Sequence, residues 1–259
     1  IPPKPPTQSG GAEGPMQTEA GLLTSAPTPT GVNFEGVGVG LGAFSPGSNP
    51  PDVNGRVGAT QYVQWNNSSF AVFNKTTGAL EYGPAAGNTL FQALGGVCAS
   101  HNDGDPVVSY DILAGRWVLS QFVVGGPAGS YSHQCFAVST TSDATGEYYL
   151  YDFTTDPTNF VDYPHTGVWP DGYYMSTDEF LGSDYVGSGA FAFDRQKMLA
   201  GDPSASYVYF HREQPPPDRI GGILPSDMDG LNPPHAGAPN TFVGYTATEY
   251  GDETDGIRL

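Results

Sequence analysis

The sequence predicts an all-β fold, specifically a β-propeller, from three observations. A pattern occurs twice: Asp105–Asp111 leads into Arg116–Ser120, and Asp162–Pro164 leads into Tyr173–Ser176, with the final serines 176 − 120 = 56 positions apart. The chain contains 36 Gly and 24 Pro but is only 14% charged, which indicates many tight turns. Its 15 Tyr and 14 Phe fall in short aromatic and β-branched runs. Self-similarity of this period is typical of propeller blades.

The N-terminal part differs from the rest. Residues 1–30 are rich in Pro, Gly, Thr and Ser, lack a hydrophobic period and are predicted to be an arm or linker. In the Gly-rich stretch that follows, Val37, Val39 and Leu41 alternate with glycines, which is compatible with a closely packed strand. We expect residues 31–259 to form the propeller domain.

Alternating apolar residues between turn signals predict the individual elements. We expect strands over 61–65, 69–73, 107–111, 117–124, 136–139, 147–153, 167–170, 173–178, 189–193, 206–211 and 241–248, with a helical turn at 194–199. These strands make about three to four four-stranded blades, whereas closed propellers generally need four to eight. The domain is therefore expected to be part of a larger closed propeller, incomplete at its C-terminus and completed by a second fragment. The alternative is a stand-alone β-sandwich.

The charge of the chain restricts its partners. Nine basic and 27 acidic residues give a net charge of −18. Such a surface repels phosphate backbones, so nucleic acid is not expected as a partner. It suits divalent cations and neutral or cationic ligands, although acidic loops are also simply solvated. The sequence contains no apolar run of the roughly 20 residues that a membrane span requires.

The two cysteines, Cys98 and Cys135, flank predicted strands. A disulfide between neighbouring strands is the favoured interpretation, and two buried free thiols are the alternative. The absence of a CxxC motif and of Cys/His clustering speaks against structural zinc.

Several stretches resemble a family of secreted bacterial β-propeller-like proteins. They are Pro50–Gly58, Tyr62–Lys75, Asn102–Pro106 with Arg116 and Trp117, Gly167–Tyr174, and Ala192–Arg195. The resemblance covers about residues 50–243 and implies a propeller and an extracellular location, with any signal peptide already removed. It transfers no catalytic residues.

A weaker resemblance connects the chain to sialidases and to propeller-type glycoside hydrolases. Ser142–Tyr148 approximates their Asp-box turn, with shifted spacing and without its Trp. The few arginines do not assemble the arginine triad of sialidases, so sialidase activity is disfavoured.

Calcium is predicted as a cofactor because carboxylates separated by Gly can converge on one ion. The predicted ligands are Asp103, Asp105 and Asp111, then Asp227 and Asp229, and as a third candidate Asp52 with Asn54. The alternative for each is an Asx-turn that caps its own backbone.

Candidate catalytic residues are Asp105 and Asp171, which occupy corresponding turns and are expected to face a central funnel. The predicted ligand-binding residues around them are Arg116, His165, Trp169, Tyr173 and Tyr174. Aromatic side chains of this kind more often fill cores, and Asp171-Gly172 is also a good hairpin turn.

The sequence is compatible with three functions. The first is a secreted propeller module, stabilised by calcium, that recognises an extracellular glycan or protein. The second is a carbohydrate-active enzyme, either a glycoside hydrolase or a polysaccharide lyase with a His or Tyr base. The third is a structural subunit of an extracellular assembly.

Overall fold

The computed structural model describes residues 31–41, 49–125, 131–156, 159–213, 222–230, 232–248 and 252–259. Their secondary structure is mainly antiparallel sheet, which confirms the predicted all-β class. Four sheets follow one another along the sequence, and within each sheet strands adjacent in sequence pair with each other. The arm predicted over residues 1–30 lies outside the described residues.

The strands divide among the sheets as follows. The first sheet contains Val53–Val57 (β1), Gln61–Asn66 (β2), Ser69–Asn74 (β3) and Leu80–Ala86 (β4). The second contains Val107–Asp111 (β5), Arg116–Gly125 (β6), Tyr131–Ser139 (β7) and Tyr148–Asp156 (β8). The third contains Phe160–Val168 (β9), Tyr173–Leu181 (β10), Asp184–Phe193 (β11) and Tyr207–Glu213 (β12). The fourth contains Leu224–Pro225 (β13), Phe242–Thr246 (β14) and Gly256–Arg258 (β15).

Three short helices complete the described structure: a 3-10 helix over Gly87–Phe91, α1 over Gly96–Ser100 and α2 over Arg195–Ala200. The helical turn predicted at 194–199 is thus confirmed. Asp194 caps α2, because its carboxylate accepts a hydrogen bond of 3.1 Å from the backbone N–H of Lys197.

Two strand predictions are wrong. Residues 167–170 were expected to be a strand, but β9 ends at Val168. Trp169 then enters a turn, in which its N–H donates to the carbonyl of Gly172 over 3.0 Å, and Pro170 has no N–H to continue a ladder. The alternating stretch from Val37 to Leu41 forms no strand within residues 31–41.

Residues 31–41 instead cover one face of the first sheet. Their apolar side chains replace a neighbouring sheet there, since that face carries aromatic rings that need burial. The cluster consists of Phe34, Val37 and Leu41 against Tyr62, Ala71 and Phe73.

The rest of the hydrophobic core lies between neighbouring sheets. Because side chains alternate along a strand, β6 directs Trp117 and Leu119 toward the first sheet and Val118 toward the third. The second sheet is therefore apolar on both faces. The interface with the first sheet contains Val63, Trp65, Phe70 and Val72, and the interface with the third contains Phe136, Tyr173, Met175, Phe191 and Phe193.

Cys98 and Cys135 form a disulfide, which confirms the predicted pairing. Both residues are buried in the core between the first and second sheets. The bond does not join two strands, because Cys98 lies in α1 while Cys135 lies in β7. It therefore ties the connection between these two sheets to the second sheet.

The first strands of the four sheets lie next to one another in series, β1 beside β5, β5 beside β9 and β9 beside β13. The side chain of Asn54 accepts a hydrogen bond of 2.8 Å from the N–H of Val108. The hydroxyls of Ser109 and Thr166 are 3.0 Å apart. Each sheet is open, and none of the described sheets closes on itself.

The first and fourth sheets are also connected. Arg56 in β1 forms ion pairs with Asp227 and Asp229, which follow β13. Asp227 also accepts a hydrogen bond of 2.9 Å from the N–H of Val168 at the end of β9. We call the line along which these four first strands lie side by side the axis.

Candidate functional site

A cavity of about 210 Å³ opens at the end of the axis where β1 and β5 begin, beside the middle of β9. We call it the axial cavity. Its wall comes from three consecutive sheets, so it exists only because their first strands lie side by side. The lining residues are Asp52, Val53, Asn54, Asp105, Pro106, Tyr163, Pro164 and His165.

Three of the residues that line the axial cavity have strained backbone conformations. Asp52, Asp105 and Tyr163 have φ angles of 36°, 44° and 52°, a region that residues with a Cβ seldom occupy. The remaining described non-glycine residue with positive φ is Asn67, at 42°, and its side chain donates to Asp52 over 2.7 Å and to the carbonyl of Pro50 over 3.0 Å. Such strain tends to concentrate at functional sites because it fixes side chains in one direction.

Asp105 is paired with a second carboxyl group. Its carboxyl group interacts with that of Asp162. Burial, followed by the charge and hydrogen bond of Asp162 and the charge of Asp52, raises the pKa of Asp105 to about 6. The backbone N–H of Tyr163 donates to Asp162 over 2.9 Å and also to Asp105, which moderates the shift.

A further carboxyl group lies close to this pair. Burial, followed by the charge of Asp162, raises the pKa of Asp178 to about 6. Burial likewise raises the pKa of the Tyr185 hydroxyl to about 12. The end of the axis near the cavity is thus strongly acidic, which excludes polyanions as favoured ligands there.

Two rings form the apolar part of the site. The rings of Tyr163 and His165 lie 4.1 Å apart between centroids, and Tyr163 is 52% exposed. Burial lowers the pKa of His165, so its imidazole is neutral at neutral pH. The cavity therefore presents aromatic surface beside hydrogen-bond acceptors.

The predicted catalytic pair is not brought together. Asp105 precedes β5, whereas Asp171 lies in the turn after β9. Asp105 and Pro106 line the cavity together with Tyr163 to His165, and further along the same strands Ser109 lies beside Thr166, so β5 and β9 run in the same direction. Asp105 and Asp171 are therefore at opposite ends of the axis, and Asp162 is the carboxyl group that contacts Asp105.

The predicted stacking residues near Asp171 also lie away from the axial cavity. The Tyr174 hydroxyl donates to Asp171 over 3.2 Å, and the Trp169 indole N–H donates to the carbonyl of Ala238 over 2.8 Å. These side chains hold the β9–β10 turn and link it to the connection between β13 and β14. Of the predicted ligand-binding residues, His165 is the one that lines the axial cavity.

Tyr173 is a core residue rather than a stacking surface, because it is 1% exposed. Its hydroxyl donates to Asp111 over 2.9 Å. Asp111 is fully buried and accepts two further hydrogen bonds from the guanidinium of Arg195, of 2.7 and 3.0 Å. Arg116 donates to the carbonyls of its own hairpin turn and is not a ligand clamp at the cavity.

Most of the predicted calcium ligands have other partners. Asp111 is neutralised by Arg195, and Asp227 and Asp229 by Arg56. Asp103 accepts a hydrogen bond of 2.9 Å from the backbone N–H of Val124. These contacts argue against the predicted Asp103–Asp105–Asp111 site, since Asp105 and Asp111 also lie at opposite ends of β5.

Members of two of the predicted sets of calcium ligands meet in the axial cavity, because Asp52 and Asn54 lie beside Asp105. Within the described ranges, the one group of three metal-capable side chains with close ligand atoms is Cys98, Cys135 and Asp152. Its sulfurs are bonded to each other in the disulfide and are not metal ligands in this state.

The site residues that the sequence did not single out are Asp162 and Tyr163. A signal for both was present, because Asp162-Tyr163-Pro164 begins the second copy of the repeated pattern and corresponds to Asp105-Pro106 in the first. Aligning the two copies on their prolines would have placed Asp162 and Asp105 at the same end of neighbouring first strands.

A larger cleft of about 470 Å³ lies between the first and second sheets, away from the axis. It is lined largely by apolar and aromatic side chains, including Phe70, Tyr82, Leu90 and Tyr149. It contains Glu147 but no pair of carboxyl groups, so the acidic and strained residues distinguish the axial cavity as the candidate site.

No protein-family model, curated protein or solved structure matches this chain. The resemblance to secreted bacterial propeller-like proteins therefore stays a prediction. None of the helices in the described segments is long and apolar enough to span a membrane.

Proposed function

We propose that this chain is an extracellular β-propeller module that binds a neutral glycan in its axial cavity. The observation that carries the proposal is the convergence of three strained residues, Asp52, Asp105 and Tyr163, on one cavity. Carboxylates accept pairs of sugar hydroxyls, and rings such as Tyr163 and His165 pack against the apolar face of a sugar. The net charge of −18 and the acidic cavity disfavour an anionic glycan.

Two features support the propeller and its location. The four sheets are sequential antiparallel meanders whose first strands surround the axis, as blades do. The disulfide between Cys98 and Cys135 fits an oxidising compartment outside the cytosol.

Glycoside hydrolysis is the second candidate, because the raised pKa of Asp105 suits a general acid. However, Asp171, the other predicted catalytic carboxyl group, lies at the opposite end of the axis from Asp105, so the two cannot flank one scissile bond. A uronate lyase is less favoured, since the cavity is lined by no Arg or Lys that would neutralise the uronate.

The proposal is tested with a panel of neutral, amino and uronic polysaccharides. Retention of the protein is measured by affinity electrophoresis, in calcium and in chelator, together with release of reducing ends and unsaturated products. We expect retention by a neutral polysaccharide without product. Product release would establish an enzyme instead, and absence of retention by every member would contradict glycan recognition.

A further inference from the structure

The disulfide between Cys98 and Cys135 has a carboxylate beside it. A carboxylate oxygen of Asp152 lies within 4.8 Å of both sulfur atoms, although the two cysteines are buried in an apolar core. Asp152 lies directly opposite Cys135 across strands β7 and β8, and residues paired in this way point to the same face of a sheet. A disulfide has no S–H, so the oxidised bond offers this carboxylate no hydrogen bond.

A histidine holds the Asp152 side chain in place. The Nδ1 atom of His133 and the Oδ1 atom of Asp152 are 2.7 Å apart. His133 lies two residues from Cys135 on β7 and therefore on the same face of the second sheet. The Asp152 side chain is 30% exposed, so the carboxylate lies between the buried sulfur atoms and solvent. Pairs of histidine and carboxylate also orient the ligands of metal ions in proteins.

The spacing of these groups is close to that of a metal site. Two thiolates bound to one zinc ion at about 2.3 Å and tetrahedral angles are about 3.8 Å apart. The two sulfurs and the Asp152 oxygen already lie within 4.8 Å of one another. Cys98 lies in α1, a helix of five residues that follows Gly95 and Gly96, which have φ angles of 75° and 64°. Such a short segment adjusts more easily than the two strands do.

We infer that the reduced protein binds one thiophilic divalent cation, of which Zn²⁺ is the type, through Cys98, Cys135 and Asp152. The two thiolates and the carboxylate provide three ligands, and a water molecule on the solvent side of Asp152 completes the tetrahedron. Each thiol loses its proton as its sulfur coordinates the ion, so binding releases two protons. Thiolate ligands favour Zn²⁺ over Ca²⁺ and Mg²⁺, which prefer oxygen.

The reduced form is the state of the newly made chain, because cysteine enters a protein as a thiol. In the finished protein a phosphine regenerates this form. The phosphorus is oxidised to the phosphine oxide by the oxygen of one water molecule, and the disulfide takes up two electrons and the two protons of that water. The bound ion then links α1 to the second sheet, as the disulfide does in the oxidised protein. The inference is independent of the ligand of the axial cavity.

Cobalt(II) tests the inference, because thiolate-to-cobalt charge transfer absorbs in the near ultraviolet and tetrahedral Co²⁺ gives intense visible bands. The full chain is purified with its disulfide, reduced by a phosphine without oxygen, and titrated with Co²⁺. We expect both sets of bands, saturation at one ion per chain, and displacement of Co²⁺ by Zn²⁺. The oxidised protein is expected to show no thiolate bands. Their absence from the reduced protein would overturn the inference.

Asp152→Asn distinguishes a built site from two free thiols. Asn keeps the size of the side chain but lacks the anionic oxygen. We expect Asp152→Asn to weaken Co²⁺ binding by the reduced chain at least about tenfold. The matched control is Asp171→Asn, which changes an exposed carboxyl group in the β9–β10 turn and is expected to alter Kd less than about twofold. An unchanged Kd for Asp152→Asn would overturn the inference.

The folded state of the reduced chain is followed by near-ultraviolet circular dichroism. If reduction alone unfolds the protein, Zn²⁺ is expected to restore the native spectrum of wild type, because a metal that binds only the folded state stabilises it. Failure of Zn²⁺ to restore it would contradict the site. Equal Co²⁺ affinity of the reduced chain in buffer and in urea would also overturn the inference, since the fold would then contribute nothing to binding.

Discussion

The carboxyl groups of Asp105 and Asp162 interact beside the axial cavity, although 57 positions separate them in the sequence (162 − 105 = 57). Each residue lies near the beginning of a first strand, one of the second sheet and one of the third. The side-by-side packing of β5 and β9 therefore creates the pair. A buried acidic pair of this kind has consequences for stability that do not depend on the ligand.

The stability of the protein is expected to depend on pH through Asp105. Its folded pKa of about 6 lies above the ordinary aspartate value of 3.8, so the folded state binds this proton more tightly than the unfolded state. The associated stability is present below about pH 4 and is lost as pH rises toward about 6. Asp105→Asn tests this dependence, because Asn also tolerates a positive φ and its neutral amide resembles the protonated carboxyl group of Asp105.

We expect Asp105→Asn to raise the free energy of unfolding at pH 8 relative to wild type and to leave it nearly unchanged at pH 4. The full shift corresponds to about 3 kcal/mol, and partial solvation of the carboxyl reduces the expected gain to about 1–2 kcal/mol. Urea unfolding of both proteins at the two pH values measures the difference. An equal difference at both pH values would contradict the assignment to Asp105.

The buried ion pair between Arg195 and Asp111 is expected to be essential for stability. Arg195→Met leaves a fully buried carboxylate with only the Tyr173 hydroxyl and a backbone N–H, so a loss of about 3–5 kcal/mol is expected. Lys197→Met is the matched control, because its ion pair with Asp194 is exposed and contributes less than about 1 kcal/mol. Thermal unfolding of both variants measures these losses, and similar melting temperatures would contradict the expectation.

Loss of the disulfide is expected to destabilise the protein by about 3–4 kcal/mol, because the bond closes a loop between residues 37 positions apart. The double substitution Cys98→Ala with Cys135→Ala tests this by urea unfolding. A reducing agent is expected to lower the stability of wild type but not of the double variant. If the reductant lowered the stability of both proteins, the loss could not be assigned to the disulfide.

Calcium binding stays a prediction of the sequence, and the axial cavity is where Asp52, Asn54 and Asp105 meet. At a calcium concentration of about 100 times Kd, binding adds about 2.7 kcal/mol of stability. Chelator is expected to lower the melting temperature of wild type and of Asp171→Asn, and not that of Asp105→Asn. An unchanged wild-type melting temperature after chelation would contradict a calcium site.

The sequence predicted the strands of the second sheet and β10 to β12 of the third, because aromatic and β-branched runs between Gly, Pro and Asp turns are local signals. The start of β9 at Phe160 was missed, since Asp162, Pro164 and the turn-forming Gly167 interrupt its apolar pattern. Tyr173 was misjudged for a different reason. Its burial depends on Asp111 in the neighbouring sheet, which no local pattern reveals.

The candidate site was only partly predictable. The sequence identified Asp105 and His165, and it identified Asp52 as a metal candidate, but it paired Asp105 with Asp171. A turn that precedes a first strand and a turn that follows one lie at opposite ends of the sheets, so similar turn chemistry does not mean proximity. The pairing with Asp162 depends on how two sheets pack side by side.

The most direct test of the axial cavity as the binding site is the affinity of wild type, Asp105→Asn and Asp171→Asn for the polysaccharide retained best in the panel. Isothermal titration calorimetry gives the three Kd values at one pH. We predict that Asp105→Asn raises Kd at least about tenfold, equivalent to about 1.4 kcal/mol, while Asp171→Asn changes it less than about twofold. Unchanged binding by Asp105→Asn, or a loss confined to Asp171→Asn, would contradict the account.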